Sequence, residues 1–297
     1  MFRTRSPVSG RRIALFNRSV SVLTQIRPEP QTRSAPMPDL GRVSGAAVPG
    51  AALAPERGRP FIIRYGKHLR GLFDRLIAGS SLVPNDPVLD MRDFAWTCEL
   101  RRNWRAIRDE AISVALERGA APSLSDVSPD HRAIAAPEMW RSFFLHGYGY
   151  PIDENLARCP ATAAAVANIP GLVSAFFSIL APGTHIPAHR GVTKGLITCH
   201  LGLIVPPDGD IRMRVADRVV RWAEGETLVF DDTWDHEVWN DSAGTRVVLL
   251  IQFERPLAQP GKWFADLFMG FVRRSAFVQE ARDNIHAWNR AVSSLDT

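Results

Sequence analysis

Residues 174–191 read SAFFSILAPGTHIPAHRG and contain an apolar run, 175–180, that ends at a Pro182-Gly183 turn. Short runs rich in β-branched and aromatic residues and bounded by Gly, Pro or Asp are typical of strands. More such runs follow before Glu254, separated by turn sequences, at residues 197–204, 211–215, 219–222, 228–230, 238–239 and 247–253. Many short strands at this spacing predict a sandwich, barrel or jelly roll.

Helical periodicity flanks this strand-rich block on both sides. Apolar residues recur at helical spacing over 61–77, across 104–116 and over 263–272, where Trp263, Phe264, Leu267, Phe268 and Phe271 form a stripe. A basic amphipathic helix such as 61–77 can lie on an anionic membrane, but more often it packs its apolar face on its own domain. We expect packing for both that helix and the stripe. The predicted fold class is mainly β with helical flanks.

The basic character of the chain comes from its first residues. Of 297 residues with a net charge of +5, residues 1–57 contain nine arginines, no lysine and three acidic residues, whereas the rest has 27 basic and 28 acidic residues. The later part therefore lacks the basic excess of a phosphate-binding surface, so we expect no nucleic-acid partner. We predict that 1–57 is a disordered Arg-rich leader; a targeting peptide, or a start-site artefact with Met37 as the true start, are the alternatives.

Cysteine content and hydropathy indicate the compartment. The three cysteines, Cys98, Cys159 and Cys199, are too few and too scattered for a disulfide framework. No apolar run reaches the roughly 18 residues that a membrane-spanning helix needs. A cytoplasmic location without a transmembrane segment is the expectation.

Histidines are concentrated in and just before the strand-rich block. Five of the eight fall between residues 146 and 236: His146, His185, His189, His200 and His236. Inward-facing strands of a small barrel can bring several imidazoles together, and neutral imidazole suits Fe, Zn, Cu and Ni alike. Spacing alone selects no pair, since any one of them could be a structural histidine.

Several motifs occur in order and at consistent spacing: the run 177–191, the His-Leu-Gly-Leu of 200–203, the Trp-Ala-Glu-Gly-Glu of 222–226, the run 230–239, and Arg246. Together they resemble the aspartyl/asparaginyl β-hydroxylase family of Fe(II)- and 2-oxoglutarate-dependent dioxygenases, from about residue 140 to residue 256. The resemblance implies a double-stranded β-helix, the cupin-like jelly roll. We therefore predict a single catalytic domain over 58–297, with a helical part (58–135), the β-helix core (136–256) and C-terminal helices (257–297).

The same resemblance implies the metal site. His189 and His236 would ligate Fe(II), while Gly191 stands where most such oxygenases place a carboxylate ligand. The family is similar in lacking that ligand. Asp232 would orient a water in the vacant position, and it is the catalytic residue that we predict. For Asp231 and Asp235 we expect only a solvated turn or a helix cap.

The cosubstrate 2-oxoglutarate needs a cation for its distal carboxylate and donors near its inner one. The resemblance implies Arg246 as the cation, because a guanidinium grips a carboxylate bidentately. Ser178 would add a hydroxyl at the same carboxylate, His200 would approach the inner carboxylate, and Trp140 would line the pocket. His185 is not implied as a ligand and is expected to be a hydrogen-bonded turn residue.

One departure concerns the substrate. Peptide-hydroxylating members carry arginines just before the His-Leu-Gly-Leu motif, where this chain reads Leu-Ile-Thr-Cys at 196–199. Arg190, Arg212 or Arg214 would have to supply a substitute charge, unless they simply face solvent.

The implied reaction uses O2 and 2-oxoglutarate to hydroxylate an unactivated C–H bond, and we expect the β-carbon of an Asp or Asn residue in a protein or peptide as the substrate. One alternative is 2-hydroxylation of a lipid A acyl chain, as in similar bacterial proteins that carry a membrane anchor not found here. Peripheral membrane contact through the amphipathic helices would be compatible with the lipid alternative. A small-molecule hydroxylase and a cupin-like binding module without turnover are the remaining alternatives.

Overall fold

The computed structural model describes residues 67–116, 121–128, 131–132, 134 and 136–294, and its centre consists of antiparallel strands. The predicted leader, 1–57, lies outside these residues. The strands are Val88–Leu89 (β1), Trp140–Gly147 (β2), Tyr150–Pro151 (β3), Leu172–Leu180 (β4), His185–His189 (β5), Leu196–Ile204 (β6), Asp210–Val215 (β7), Arg218–Val220 (β8), Thr227–Phe230 (β9), His236–Asp241 (β10) and Arg246–Glu254 (β11).

These strands form two sheets. The larger has the order β1-β9-β6-β11-β4-β2-β3 and the smaller the order β5-β10-β7-β8. Their inner faces share one apolar cluster, in which Phe176 and Val248 of the larger sheet pack with Met213 and Val238 of the smaller. Two antiparallel sheets closed on one core form a double-stranded β-helix, so the predicted fold class is confirmed.

Alternation along the strands decides what each face meets. On β4, Phe176 and Leu180 point between the sheets, whereas Phe177 and Ile179 point outward into a second apolar cluster. On β7, Ile211 and the other inward residues are buried and alternate with partly exposed polar side chains. The larger sheet is thus covered on both faces, and the smaller on one.

Helices pack on the outer face of the larger sheet, and two of them form the C-terminal part of the described chain. They are Lys67–Gly79 (α1), Thr97–Arg102 (α2), Trp104–Leu116 (α3), Leu124–Val127 (α4), Asp153–Arg158 (α5), Pro160–Ala167 (α6), Gly261–Arg274 (α7) and Ala276–Ser293 (α8). On α3, Ile107, Ala111 and Val114 recur at helical spacing and are buried in the outer cluster. No helix among the described residues is both long and apolar enough to cross a bilayer.

The predictions for the helices that flank the strands are confirmed only in part. The helix over 104–116 is confirmed, and of the predicted helix over 61–77 the described part is α1. Core packing of the whole 263–271 stripe is wrong, since Trp263, Leu267 and Phe271 are exposed. The reason is that α7 already packs another side inward, through Ala265 and Met269. Packing of the whole apolar face of 61–77 is wrong as well, since Leu72 and Phe73 are exposed.

Candidate active site

Two histidines meet where β5 pairs with β10. His189 ends β5, His236 begins β10, and the two residues are in register, with ring centroids 4.1 Å apart. Each Nδ1 lies by the carbonyl oxygen two residues earlier in the chain, that of Pro187 at 2.9 Å and that of Trp234 at 3.0 Å. Because a carbonyl only accepts, each Nδ1 carries the hydrogen and each Nε2 keeps a free lone pair.

Burial also fixes the charge of this pair. Desolvation, followed by the neighbouring His236, lowers the pKa of His189 to about 4. Desolvation likewise lowers the pKa of His236. Both imidazoles are therefore neutral near neutral pH, which is the form that binds a metal ion.

Asp232 fills the space in which a side chain at Gly191 would begin. A Cβ built on Gly191 would lie 2.1 Å from Oδ1 of Asp232. Thr198 and Gln252 donate to Oδ2 of this carboxylate at 3.0 and 3.3 Å, while Oδ1 is buried with no hydrogen-bond partner among the described residues. Burial, and then the charge of Asp231, raises the pKa of Asp232 to about 6. One acceptor oxygen is thus left available beside the histidine pair.

Arg246 is a buried cation without a counter-charge. Its side chain makes no ion pair with a carboxylate in the part of the chain that the structure describes, and its Nε has no hydrogen-bond partner there. Nη1 donates weakly to the carbonyl oxygen of Ser178 at 3.5 Å, and the guanidinium lies over the Trp222 ring at 4.8 Å. Burial lowers its pKa to about 9, so it stays protonated near neutral pH. An unpaired buried charge is costly, which favours an anionic ligand here.

His200 presents a buried donor close to both groups. Trp222 donates its indole N–H to Nδ1 of His200 at 3.2 Å, so in the neutral ring Nε2 carries the hydrogen, and Nε2 is buried without a partner among the described residues. Desolvation, followed by Arg246 and His236, lowers the pKa of His200 well below its usual value. Phe230 packs against His200 and His236, with ring centroids at 5.0 and 5.8 Å, and so joins the histidine pair to this donor.

Ser178 and Trp140 complete the predicted set. The indole N–H of Trp140 donates to the Ser178 hydroxyl oxygen at 3.0 Å, and both side chains are buried. The hydroxyl hydrogen of Ser178 remains for another acceptor. The inner face of the fold therefore brings together all the side chains predicted from the sequence: His189, His236, Asp232, Arg246, His200, Ser178 and Trp140.

Sequence reasoning assigned no role to three neighbours of this site. Trp222 belongs to a sequence motif, and it contacts both His200 and Arg246. Thr198 is a polar residue inside an apolar strand, a signal that could have marked it. His131 packs edge-on against Trp140, with ring centroids 5.4 Å apart, and lies outside the strand-rich block, so nothing in the sequence pointed to it.

Two of the arginines considered as substitutes face solvent. Arg212 pairs with Asp210 and Asp241, and Arg214 pairs with Asp235 and Glu237. Their charges are already matched on the exposed face of the smaller sheet. Arg190, next to His189, has its side chain 62% exposed and lies 4.0 Å from an Asp235 oxygen.

The acidic turn before β10 differs from expectation at one residue. Asp231 is fully buried, and its Oδ2 accepts from Lys194 at 2.6 Å and from Arg255 at 2.5 Å. A solvated turn residue is therefore the wrong description of Asp231, because cations from distant parts of the chain enclose it. Asp235 is at the surface, as predicted.

His185 is hydrogen-bonded, as predicted, but lies on a strand and not in a turn. His185 lies on β5 with an exposed side chain, and its Nε2 is 2.8 Å from Oε1 of Glu237. Within the described ranges, no group of three or more His, Cys, Asp or Glu side chains is arranged to hold a metal ion. Any metal at this site would rest on the two imidazoles and on non-protein ligands.

The chain is similar to several known proteins. The family profile described as aspartyl/asparaginyl beta-hydroxylase matches residues 101–256. The chain is 36% identical over 264 residues to an ornithine lipid ester-linked acyl 2-hydroxylase of Rhizobium tropici, covering 89% of this chain and 92% of that protein. It is 30% identical over 166 residues to the human aspartyl/asparaginyl beta-hydroxylase, which is 54% of this chain but 21% of that protein. A solved Pseudomonas putida prolyl-4-hydroxylase is 19% identical, with a TM-score of 0.33, over 53% of this chain and 88% of that one.

Proposed function

The chain belongs to the aspartyl/asparaginyl β-hydroxylase family, and from this membership we propose that it is an Fe(II)- and 2-oxoglutarate-dependent hydroxylase of the acyl chain of a polar membrane lipid. The observation that supports 2-oxoglutarate as the cosubstrate is Arg246, a buried guanidinium with no carboxylate partner among the described residues. A guanidinium fork matches a carboxylate bidentately. The distal carboxylate of 2-oxoglutarate would neutralise it, with the Ser178 hydroxyl as a second donor.

His200 supports the other end of the same ligand. Its buried Nε2–H would donate to the inner carboxylate, and the indole of Trp222 fixes the tautomer in which that hydrogen is present. A dicarboxylate would thus satisfy the unpartnered nitrogens of His200 and Arg246 together.

The metal proposal rests on the donor set. His189 and His236 would hold Fe(II) through Nε2, since their Nδ1 atoms are committed to backbone carbonyls. The unpartnered Oδ1 of Asp232 would accept a hydrogen from water on the ion, in the space left by Gly191. When bound, Fe(II) with 2-oxoglutarate supplies the means of activating O2 against an unreactive C–H bond. The protein residues would position these ligands around the ion.

An acyl chain is favoured over an acidic side chain by two observations. The relative that matches along 92% of its own length is a lipid acyl 2-hydroxylase. In addition, the stretch before His200 supplies no cation: Thr198 donates to Asp232, and Cys199 is buried in the outer cluster on the other face of the sheet. Hydroxylation of an Asp or Asn residue stays a prediction, supported by the human relative over 54% of this chain.

The test measures O2-dependent succinate release with Fe(II) and 2-oxoglutarate, offering either polar lipid extracts or Asp- and Asn-containing peptides. We expect turnover with lipid and a mass gain of one oxygen on an acyl chain. His189→Ala should abolish metal binding and turnover, whereas His185→Ala, an exposed imidazole on the same strand, is the matched control and should change neither. Turnover with peptides alone would refute the lipid assignment, and no succinate with any substrate would favour a binding module.

Arg246→Ala tests the cosubstrate end separately. Loss of a charge-assisted hydrogen bond should raise the KM for 2-oxoglutarate by a factor equivalent to about 1.5–3 kcal/mol. The measurement is the initial rate of succinate release against 2-oxoglutarate concentration at saturating lipid. An unchanged KM would remove Arg246 from the pocket.

A further inference from the structure

One surface of the molecule is more apolar than a water-exposed surface usually is. Along α7, Trp263, Leu267 and Phe271 succeed one another at intervals of four residues, with 56%, 46% and 54% of their surface exposed. Leu72 and Phe73 of α1, also exposed, adjoin them, because the Phe73 ring lies 6.3 Å from Phe264 and Phe264 lies 4.7 Å from Trp263. We call Trp263, Leu267, Phe271, Leu72 and Phe73 the apolar face.

The apolar face is not needed to hold α7 in place. The opposite side of the helix already packs inward, where Ala265 and Met269 are buried and Met269 contacts Val173 and Leu196. Single exposed apolar residues are common, but a contiguous set on paired helices marks an interaction surface. The remaining question is which partner has the matching chemistry.

Charge favours an anionic bilayer. Helices α1 and α7 together contain six Lys or Arg and two Asp or Glu, whereas the rest of the chain after residue 57 has 21 basic and 26 acidic residues. Of these cations, Arg75 and Arg274 form no ion pair with any carboxylate of the described residues. A tryptophan-containing apolar stripe bordered by cations is the composition of helices that lie in the interface of an anionic membrane.

The helix that carries most of the apolar face also packs against a segment next to the candidate site. Gly195, in the segment between His189 and β6, is packed so tightly against α7 that a Cβ there would lie 3.3 Å from the Cβ of Ala265. Two exposed apolar residues, Val192 and Trp234, occur beside the site's own turns. The segment that leads from the histidine pair therefore packs on the buried side of α7, and the helix itself separates it from a bilayer docked on the apolar face.

We propose that the apolar face of α1 and α7 docks on the surface of an anionic phospholipid bilayer. The choice of a bilayer rests on the proposed function in that a lipid-modifying enzyme must draw its substrate from a membrane. Apolar insertion would supply the affinity, and the cations would select anionic lipid. A second copy of this chain on the same face is the competing occupant.

Vesicle co-sedimentation of the full chain tests this, using phosphatidylcholine vesicles with and without phosphatidylglycerol. We expect binding that needs phosphatidylglycerol and weakens with salt, and a loss of at least about tenfold in the double variant Trp263→Ser/Phe271→Ser. Arg274→Glu should weaken binding to the anionic vesicles alone. Val219→Ser, which changes a residue 55% exposed on β8, is the matched control and should bind as the wild type does.

Two results would overturn the proposal: no binding to anionic vesicles, or equal binding by the wild type and the double variant. Loss of self-association in the double variant during sedimentation velocity, without vesicle binding by either protein, would assign the face to a second copy instead. Hydroxylation of detergent-dispersed lipid separates this proposal from the proposed function. The double variant should still hydroxylate detergent-dispersed lipid. If the wild type binds vesicles but does not hydroxylate dispersed lipid, the proposed function is refuted and the docking proposal stands.

Discussion

The contact between Gly191 and Asp232 allows a sharp prediction, because the backbone of Gly191 is not in the left-handed region. A Cβ at this position would lie 2.1, 2.4 and 2.8 Å from Oδ1, Cγ and Oδ2 of Asp232. In Gly191→Ala the carboxylate must therefore retreat and lose its hydrogen bonds from Thr198 and Gln252. Overpacking and two lost hydrogen bonds together should lower the free energy of unfolding by about 2–5 kcal/mol.

Urea unfolding of the metal-free protein measures this effect, so the result does not depend on any bound ligand. In Gly191→Ala/Asp232→Ala the obstacle is gone, and the double variant should be more stable than the sum of the single effects by about 1–3 kcal/mol. Gly71→Ala is the control, because a Cβ there meets nothing within 4 Å. It should be neutral or slightly stabilising. Wild-type stability in Gly191→Ala, or additivity in the double variant, would refute the argument.

Three further predictions concern buried groups. Asp231→Asn removes the carboxylate that two buried cations share, and should lower the free energy of unfolding in urea by about 3–5 kcal/mol; a loss like that of surface variant Asp235→Asn would contradict this. Of the three thiols only Cys98 is exposed, so a thiol reagent should label one cysteine in the native protein and all three in urea; rapid labelling of more than one would be inconsistent with the fold. Desolvation lowers the pKa of His131 to about 4, so the unfolded chain binds the extra proton and stability falls as pH drops from about 6.5 towards 4. His131→Gln should remove up to about 3 kcal/mol of that loss, and equal pH dependence of unfolding in both proteins would count against it.

The strand-rich block could be predicted from the sequence because its strands are short, apolar and separated by turn residues. Strand β5 escaped prediction, since Pro187 within it resembles a turn; at the edge of the smaller sheet a proline costs no ladder hydrogen bond. Strand β2 escaped because two buried polar residues, Arg141 and Ser142, interrupt its apolar pattern.

The candidate site was predictable residue by residue only where a family resemblance supplied the roles. Composition alone indicates only a cluster of histidines, because convergence of His189 and His236 depends on the register of β5 with β10. The burial of Asp231 was unpredictable for the same reason, since Lys194 and Arg255 reach it from separate segments of the chain. The apolar stripe of α7 was misjudged because periodicity shows amphipathicity without showing which side is covered.

Trp222 links the two ends of the proposed cosubstrate pocket. Its N–H sets the tautomer of His200, while its ring supports the guanidinium of Arg246. A phenylalanine at this position would preserve the aromatic support but no longer donate to Nδ1, so His200 could adopt the other tautomer, in which Nε2 has no hydrogen to donate to a carboxylate. If the pocket holds 2-oxoglutarate as proposed, its grip on both carboxylates would depend on an indole that need not contact the diacid at all.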